Sequence, residues 1–273
     1  MKFWKMHGLG NDFIVIDNRK GTINAAEAAG LAKRLCERHL SVGADGLLLL
    51  SNSLVADAKM QIFNADGSEA EMCGNGIRCF ASYCYKNGIA VKKELAVETL
   101  AGVKKVWFDV ENGIVNTVKV DMGVPVWERK EIPMQGEGTC INCDLQVDEK
   151  NYKITCLSMG NPHCVIFVEN LNEYPIEYVG PLIENHAAFL KRTNVEFVKV
   201  IGRNELRVRV WERGCGETLA CGTGACAAVV AANQLGKVDI KVKVYLAGGG
   251  LQIEVADRVF MSGPAEKVFE GKL

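Results

Sequence analysis

The chain lacks the features that would send it to a membrane or to nucleic acid. No window of its 273 residues approaches the apolar length of a membrane span. Met1 to His7 contain no apolar stretch of the kind a secretory leader needs, so a cytoplasmic location is expected. There is no basic block and no acidic tail, and the formal net charge is -1. That balance argues against nucleic acid or a membrane surface as the main partner.

What is present is ordinary in bulk and unusual in one residue type. With 48% hydrophobic and 24% charged residues, the composition is that of a globular chain long enough for one large core or two ordinary ones. The 11 cysteines are an odd and high number. Without a leader, they fit reduced thiols better than a disulfide framework, and most are expected to fill the core.

Two cysteines stand out by their surroundings. Glu69 precedes Cys73-Gly74-Asn75-Gly76, and Glu217 precedes Cys221-Gly222-Thr223-Gly224. A helical pattern follows each Cys and stops at Gly88 or Gly236. In the first, Ile77, Phe80, Ala81 and Cys84 fall on one face. The echo extends beyond the motif. Gly10-Asn11 with a strand to Asp17-Asn18 matches Gly160-Asn161-Pro162-His163 with a strand to Glu169-Asn170. Strand Lys59 to Asn64 matches Arg207 to Glu212, which sets Asn64 against Glu212. Leu47 to Leu50 matches the strand Val195 to Val200, and Ala101-Gly102 matches Ala247 to Gly250. Asn24 with Glu27 predicts a capped helix from Ala25 to about Arg38, and Asn112-Gly113 a hairpin. Residues 125–150, rich in Pro, Gly and charge, read as a connection with some strand content. The spacing of about 148 residues between copies, as from Cys73 to Cys221, is too long for a solenoid and implies a duplicated domain. The copies are expected to face each other about a pseudo-two-fold axis.

A thiol at a helix start is expected to have a lowered pKa, because unpaired N–H groups and the helix dipole favour the thiolate. The same N–H groups, approachable over Gly, make a carboxylate site. Two such starts suit inversion of a carbon α to a carboxylate. One thiolate takes the proton, one thiol returns it from the other face, and the N–H groups stabilise the developing enediolate-like charge.

On these residues the chain resembles the diaminopimelate epimerases, which are pyridoxal-independent amino-acid epimerases. The matching segments are Lys5 to Phe13, Asn64 to Glu69, Cys73 to Cys79, Gly160 to His163, Trp211 to Thr218 and Ala220 to Gly224, which together span nearly the whole chain. The resemblance implies an α+β fold of two pseudo-symmetric domains, each a barrel-like mixed sheet wrapped around a central helix. The domains are expected at 1–118 and 119–264, with the tail 265–273 returning to the first. It implies epimerisation of LL-2,6-diaminopimelate to the meso form for lysine and peptidoglycan precursor synthesis, with no cofactor and no metal. It implies Cys73 and Cys221 as the catalytic pair, with His163 and Glu212 tuning them. Substrate binding falls to Asn11, Asn64, Gly74, Asn75, Asn161, Asn194, Glu212, Arg213, Gly222 and Thr223, with Glu212-Arg213 reading the distal amino-acid group. Some members carry a polar side chain near Gly46, where this chain has none. Phe269 matches an aromatic position of the family's dimer contact, so a homodimer is expected.

Blander readings exist for most of these residues. Cys73 and Cys221 could be buried caps, and Glu69 and Glu217 loop-shaping residues. His163 could satisfy a backbone group, Arg213 could be a surface charge, and Asn11 and Asn161 could be turn residues. Cys140-Ile141-Asn142-Cys143 resembles half a zinc site, but no second pair follows at ligand spacing. Two other functions compete. A proline or hydroxyproline racemase would not need Glu212-Arg213. A non-catalytic thiol-rich binding or redox protein would exchange no substrate hydrogen.

Overall fold

The computed structural model describes the backbone of residues 1–273 and, apart from Ala25, their side chains. The chain divides into two compact units, Met1–Asp121 with Ser262–Leu273, and Met122–Met261. It is α+β, with short helices set among many strands.

In the first unit β1 (Lys2–Gly8) and β2 (Asn11–Asp17) form a hairpin. Its turn holds Leu9 and Gly10 at φ 57° and 85°. Then come α1 (Ala25–Cys36), β3 (Gly46–Ser51), β4 (Ala58–Asn64), the short β5 (Glu69–Ala70), α2 (Gly74–Lys86), β6 (Glu94–Thr99), β7 (Gly102–Glu111) and β8 (Ile114–Gly123). The second unit holds β9 (Cys140–Val147), β10 (Lys150–Ser158), β11 (Pro162–Phe167), α3 (Ile176–Glu184), β12 (Asn194–Gly202), β13 (Glu205–Glu212), β14 (Gly216–Thr218), α4 (Gly222–Gln234), β15 (Lys241–Leu246), β16 (Gly249–Val255) and β17 (Val259–Gly263). Last, β18 (Glu266–Lys272) pairs antiparallel with β1.

The two units are wired alike. β2 runs parallel to β3 across the crossover α1, and β11 parallel to β12 across α3. Antiparallel β3–β4 and β4–β5 match β12–β13 and β13–β14. Parallel β4–β6 matches β13–β15. Register agrees as well: Phe13 faces Gly46 as His163 faces Asn194.

Each central helix is enclosed by the strands around it. Helix α4 buries Ala225 to Ala232 without a break and packs on β10, β11, β12, β13, β15 and β16. In α2 every residue from Gly74 to Cys84 is buried, Arg78 and Ser82 included. Strand β3 lies between two helices, which is why Leu47 to Leu50 run apolar without alternation. Its Leu47 and Leu49 join Ala28, Leu31, Ala32 and Leu35 of α1 in one cluster. In the second unit Val195 and Phe197 of β12 join Ile176, Val179 and Ile183 of α3.

Asn24 makes the expected capping box with Glu27, and α1 ends at Cys36 rather than Arg38 because Glu37 is extended (φ -61°, ψ 112°). Asn112 and Gly113 take the positive φ values of a tight hairpin. The stretch 125–150 carries the strand content expected of it. Its later part is a regular strand, β9, paired with β10 and burying Cys140, Leu145 and Val147. Its exposed positions, Asn142, Asp144 and Gln146, alternate with Cys143, Leu145 and Val147. Helix α3 left no clear signal because Pro175 precedes it and Pro181 lies inside it.

A charged network ties β1 to the loop before β3. Lys5 Nζ lies 2.6 Å from Asp12 Oδ2 and also donates to Gly43 O, while Arg38 reaches Asp12 at 2.7 Å and Asp45 at 2.8 Å. Burial alone would raise the Asp12 carboxyl, but the bonds from Lys5 and Arg38 hold it below its usual value. A depressed folded-state pKa stabilises above the unfolded value of about 3.9, and that stability is lost as pH falls through the folded one. The urea midpoint should therefore drop more steeply below pH of about 4 in the natural chain than in Asp12→Asn. Equal slopes in the two proteins would remove Asp12 from acid unfolding.

Candidate active site

Both motif cysteines are N-caps whose sulfur does the work an oxygen usually does. Cys73 is extended (φ -140°, ψ 121°), and its Sγ accepts the Gly76 N–H at 3.3 Å. Cys221 is extended (φ -114°, ψ 114°), and its Sγ accepts the Gly224 N–H at 3.4 Å. The Gly residues let the chain turn into each helix with the sulfur close to the N–H groups.

In the first unit Cys73, Asn11, Gly74 and Asn75 form one cluster. The Cys73 thiol donates to Asn11 Oδ1 at 3.6 Å, and Asn75 Nδ2 donates to the same oxygen at 3.2 Å. Asn11 is braced from behind, its Nδ2 donating to Asp45 Oδ2 at 2.8 Å. Asn75 Oδ1 accepts from Arg78 at 2.9 Å. Fully buried Arg78 also donates to Gly74 O at 3.0 Å and to Pro264 O at 3.1 Å. Gly8 makes room for it, since a Cβ there would lie 2.9 Å from the guanidinium. Asn64 is exposed at the end of β4 and donates to Ser68 Oγ at 2.9 Å. Opposite Asn64 in the ladder is Gly46, where a Cβ would meet Phe63 O at 2.9 Å. A side chain at Gly46 has no room on this backbone.

In the second unit His163 is fully buried between two oxygens, Glu196 Oε1 at 2.7 Å from Nδ1 and Asn161 Oδ1 at 2.9 Å from Nε2. Asn194 is a buried cross-brace that donates to Pro162 O at 2.8 Å and accepts from the Arg213 N–H at 2.9 Å. The Arg213 side chain is exposed and turns to Lys191 O at 3.1 Å, away from half-buried Glu212, which accepts from Thr218 Oγ1. Thr223 Oγ1 lies 3.4 Å from Cys221 Sγ, and Gly222 is buried at the first turn of α4. Glu217 is held by Arg209 and Glu69 by Gln61, as loop-shaping residues would be. Phe269 packs edge-on against Phe3 at 6.0 Å and is 45% exposed on β18.

The lowered thiol pKa expected of a helix start does not hold at Cys221. Burial pushes that thiol well up, and the Glu212 and Glu196 carboxylates add to the effect. Thr223 and the Gly224 N–H pull the other way without prevailing. Cys221 is only 6% exposed, so desolvation outweighs the cap. The other thiols are core filler in large part. Cys140, Cys156 and Cys164 follow one another across β9, β10 and β11, and among the described residues no group of three His, Cys, Asp or Glu is placed to hold a metal ion.

Sequence reasoning missed Asp45 and Glu196. Asp45 looked like one more polar residue of the turn Gly43 to Gly46. Glu196 had a usable signal, since it is a carboxylate inside the otherwise apolar run Val195 to Val198, where charge is rarely buried without a partner.

The wiring of two like units defines a fold that solved epimerase and isomerase structures share. A crystal structure of a Bacillus anthracis phenazine biosynthesis protein of the PhzF family is similar over 100% of this chain and 98% of its own, with TM-score 0.74 and 18% identity. A hydroxyproline epimerase from Agrobacterium vitis is similar over 99% of this chain and 91% of its own, with TM-score 0.71 and 14% identity. Sequence then narrows the class. The chain belongs to the diaminopimelate epimerase family, whose model matches residues 3–128 and 155–268. A protein named diaminopimelate epimerase from Moorella thermoacetica is 53% identical, covering 99% of this chain and 98% of that one. One of the same name from Methanococcus maripaludis is 48% identical, covering 100% and 99%.

Proposed function

We propose that this chain epimerises LL-2,6-diaminopimelate to the meso form by proton transfer between two thiols, in lysine synthesis and peptidoglycan precursor supply. Full-length identity near one half with proteins of that name supports the substrate. The observation that carries the mechanism is the matched pair of sulfur-capped helix starts. Each offers backbone N–H groups to a carboxylate beside a group that can hold or release a proton.

Cys221, buried and kept as a thiol, suits the role of acid, and Cys73, less buried, that of base for the LL substrate. As the α-proton leaves, charge moves onto the carboxylate, where the N–H groups of Gly74-Asn75 and Gly222-Thr223 stabilise it. Asn11, Asn64, Asn161 and Asn194 belong to the substrate-binding set, and Glu212 with Arg213 reads the distal ammonium and carboxylate. Arg213 must then leave Lys191 O to engage substrate. The same reading makes the chain a cytoplasmic homodimer working without pyridoxal, with Phe269 in the subunit contact; a monomer in sedimentation would remove the dimer.

In deuterated water, diaminopimelate should gain deuterium at the α-carbon while proline gains none. Exchange into proline alone would turn the assignment to the proline racemases. No exchange into either, with reduced thiols, would end the enzyme reading in favour of a thiol-rich binding protein.

A further inference from the structure

Beneath the start of α4, His163, which the family resemblance places among the residues tuning the thiols, is paired with a carboxylate that has no assigned role. Glu196 and His163 are both fully buried and lie 2.7 Å apart. Strand alternation turns Val195 and Phe197 toward α3, so Glu196 points to α4. There its Oε1 sits so close that a Cβ on Gly224 would be 2.9 Å away. Gly224 is the residue whose N–H holds the Cys221 sulfur. The equivalent place in the first unit is apolar. A Cβ on Gly76 would meet Leu48 at 3.4 Å and Phe13 at 3.5 Å. By ladder position these correspond to Glu196 and His163.

The imidazole is flanked by oxygens on both sides, as the Asn161 amide is oriented. A neutral ring has one N–H and cannot donate to both. Either the ring carries two protons beside a carboxylate, or Glu196 is a carboxylic acid donating to Nδ1. Each arrangement holds one proton more than a neutral ring beside an ionised carboxylate, and each leaves the pair without net charge. Glu196 Oε2 is buried and, among the described residues, has no hydrogen-bond partner, so a bare ionised carboxylate would be costly there.

We infer that Glu196 and His163 act as one buried proton-holding unit under the Cys221 cap, with Glu196 as a positioning residue that reserves Cys221 as the thiol. The inference rests on the reading of Cys221 as a proton-transfer group. When the unit loses its proton on the alkaline side, a full negative charge appears under α4 and opposes thiolate formation at Cys221. The proton simply moves between Nδ1 and Oε1 or leaves to solvent, and no other reactant is needed. Burial raises the Glu196 carboxyl, against the pull of His163. On β13, Glu212 faces the same helix start and Arg209 is engaged by Glu217. On α3, Glu184 is engaged by Trp211, Arg192 and the Gly214 N–H.

Nuclear magnetic resonance of the natural chain tests the proton count directly, without turnover. At neutral pH the His163 ring nitrogens and the Glu196 carboxyl carbon should report either imidazolium with carboxylate, or an Nε2–H ring with carboxylic acid. A neutral ring beside an ionised carboxylate, in either tautomer, overturns the inference. Glu196→Gln supplies the second arm, read by iodoacetamide modification of Cys221 against pH with peptide mass spectrometry. Its midpoint should fall by about one pH unit and its profile become a single step. An unchanged midpoint overturns the inference, and if the variant does not fold, the resonance result decides. Neither readout depends on epimerisation, so failure of the functional reading would show separately, in the deuterium experiment.

Discussion

Cys73→Ala and Cys221→Ala should each lower the conversion of LL- to meso-diaminopimelate by about 10³-fold or more, the range lost when a general acid or base is removed. The loss should appear in kcat, with substrate affinity changed far less, because the backbone N–H groups at Gly74-Asn75 and Gly222-Thr223 remain. Each change also deletes a cap, since Gly76 and Gly224 lose the sulfur they donate to. That deletion should cost about 1 kcal/mol, too little to explain inactivity. Mixing the two variants should restore nothing if one chain must supply both groups. Turnover within a few-fold of normal in either variant would refute the two-thiol mechanism.

Arg78→Ala should destabilise the protein by about 3–5 kcal/mol, the largest effect expected of any single truncation described above. The side chain is fully buried in α2, and its removal leaves a cavity and withdraws the hydrogen bonds it gives to Gly74 O, Asn75 Oδ1 and Pro264 O. Arg78→Met refills much of the volume but none of the hydrogen bonds, and should lie between the two. Urea unfolding followed by far-ultraviolet circular dichroism measures both. A loss below about 1 kcal/mol for the Ala variant would mean the three acceptors find other donors. The two predicted losses are separable, because Arg78 supports the Cys73 cluster through Asn75 whereas Cys73 would touch substrate.

Much of this was legible in the chain, for physical reasons that differ from residue to residue. The duplication showed because each copy must solve the same problem: a parallel crossover, a Gly-rich turn and a helix enclosed on every side. Cys73 and Cys221 showed because only small residues allow a sulfur to cap a helix. The hairpin at Asn112-Gly113 and the cap at Asn24 are local chemistry, readable without tertiary context. Glu196 was hidden because its meaning depends on His163, 33 residues earlier, and on a glycine of α4. Asp45 was hidden because a turn carboxylate looks alike whether it meets water or braces Asn11. The acidity of Cys221 was misjudged for the same reason. The helix start is written in the sequence, but the degree of burial that overrides it is set by packing.

The contrast between Phe13 with Leu48 and His163 with Glu196 has a consequence for how such a chain diverged. One backbone accepts either an oily couple or an ion-forming couple at the same two ladder positions. Going from one to the other a single residue at a time passes through Phe with Glu, or His with Leu. The first buries a lone carboxyl group against apolar neighbours, at a cost of several kcal/mol if charged, and the second leaves Nδ1 of the imidazole without its partner. Descendants of the duplicated ancestor should therefore have exchanged the two positions together, and mutational tolerance at one should depend on what occupies the other.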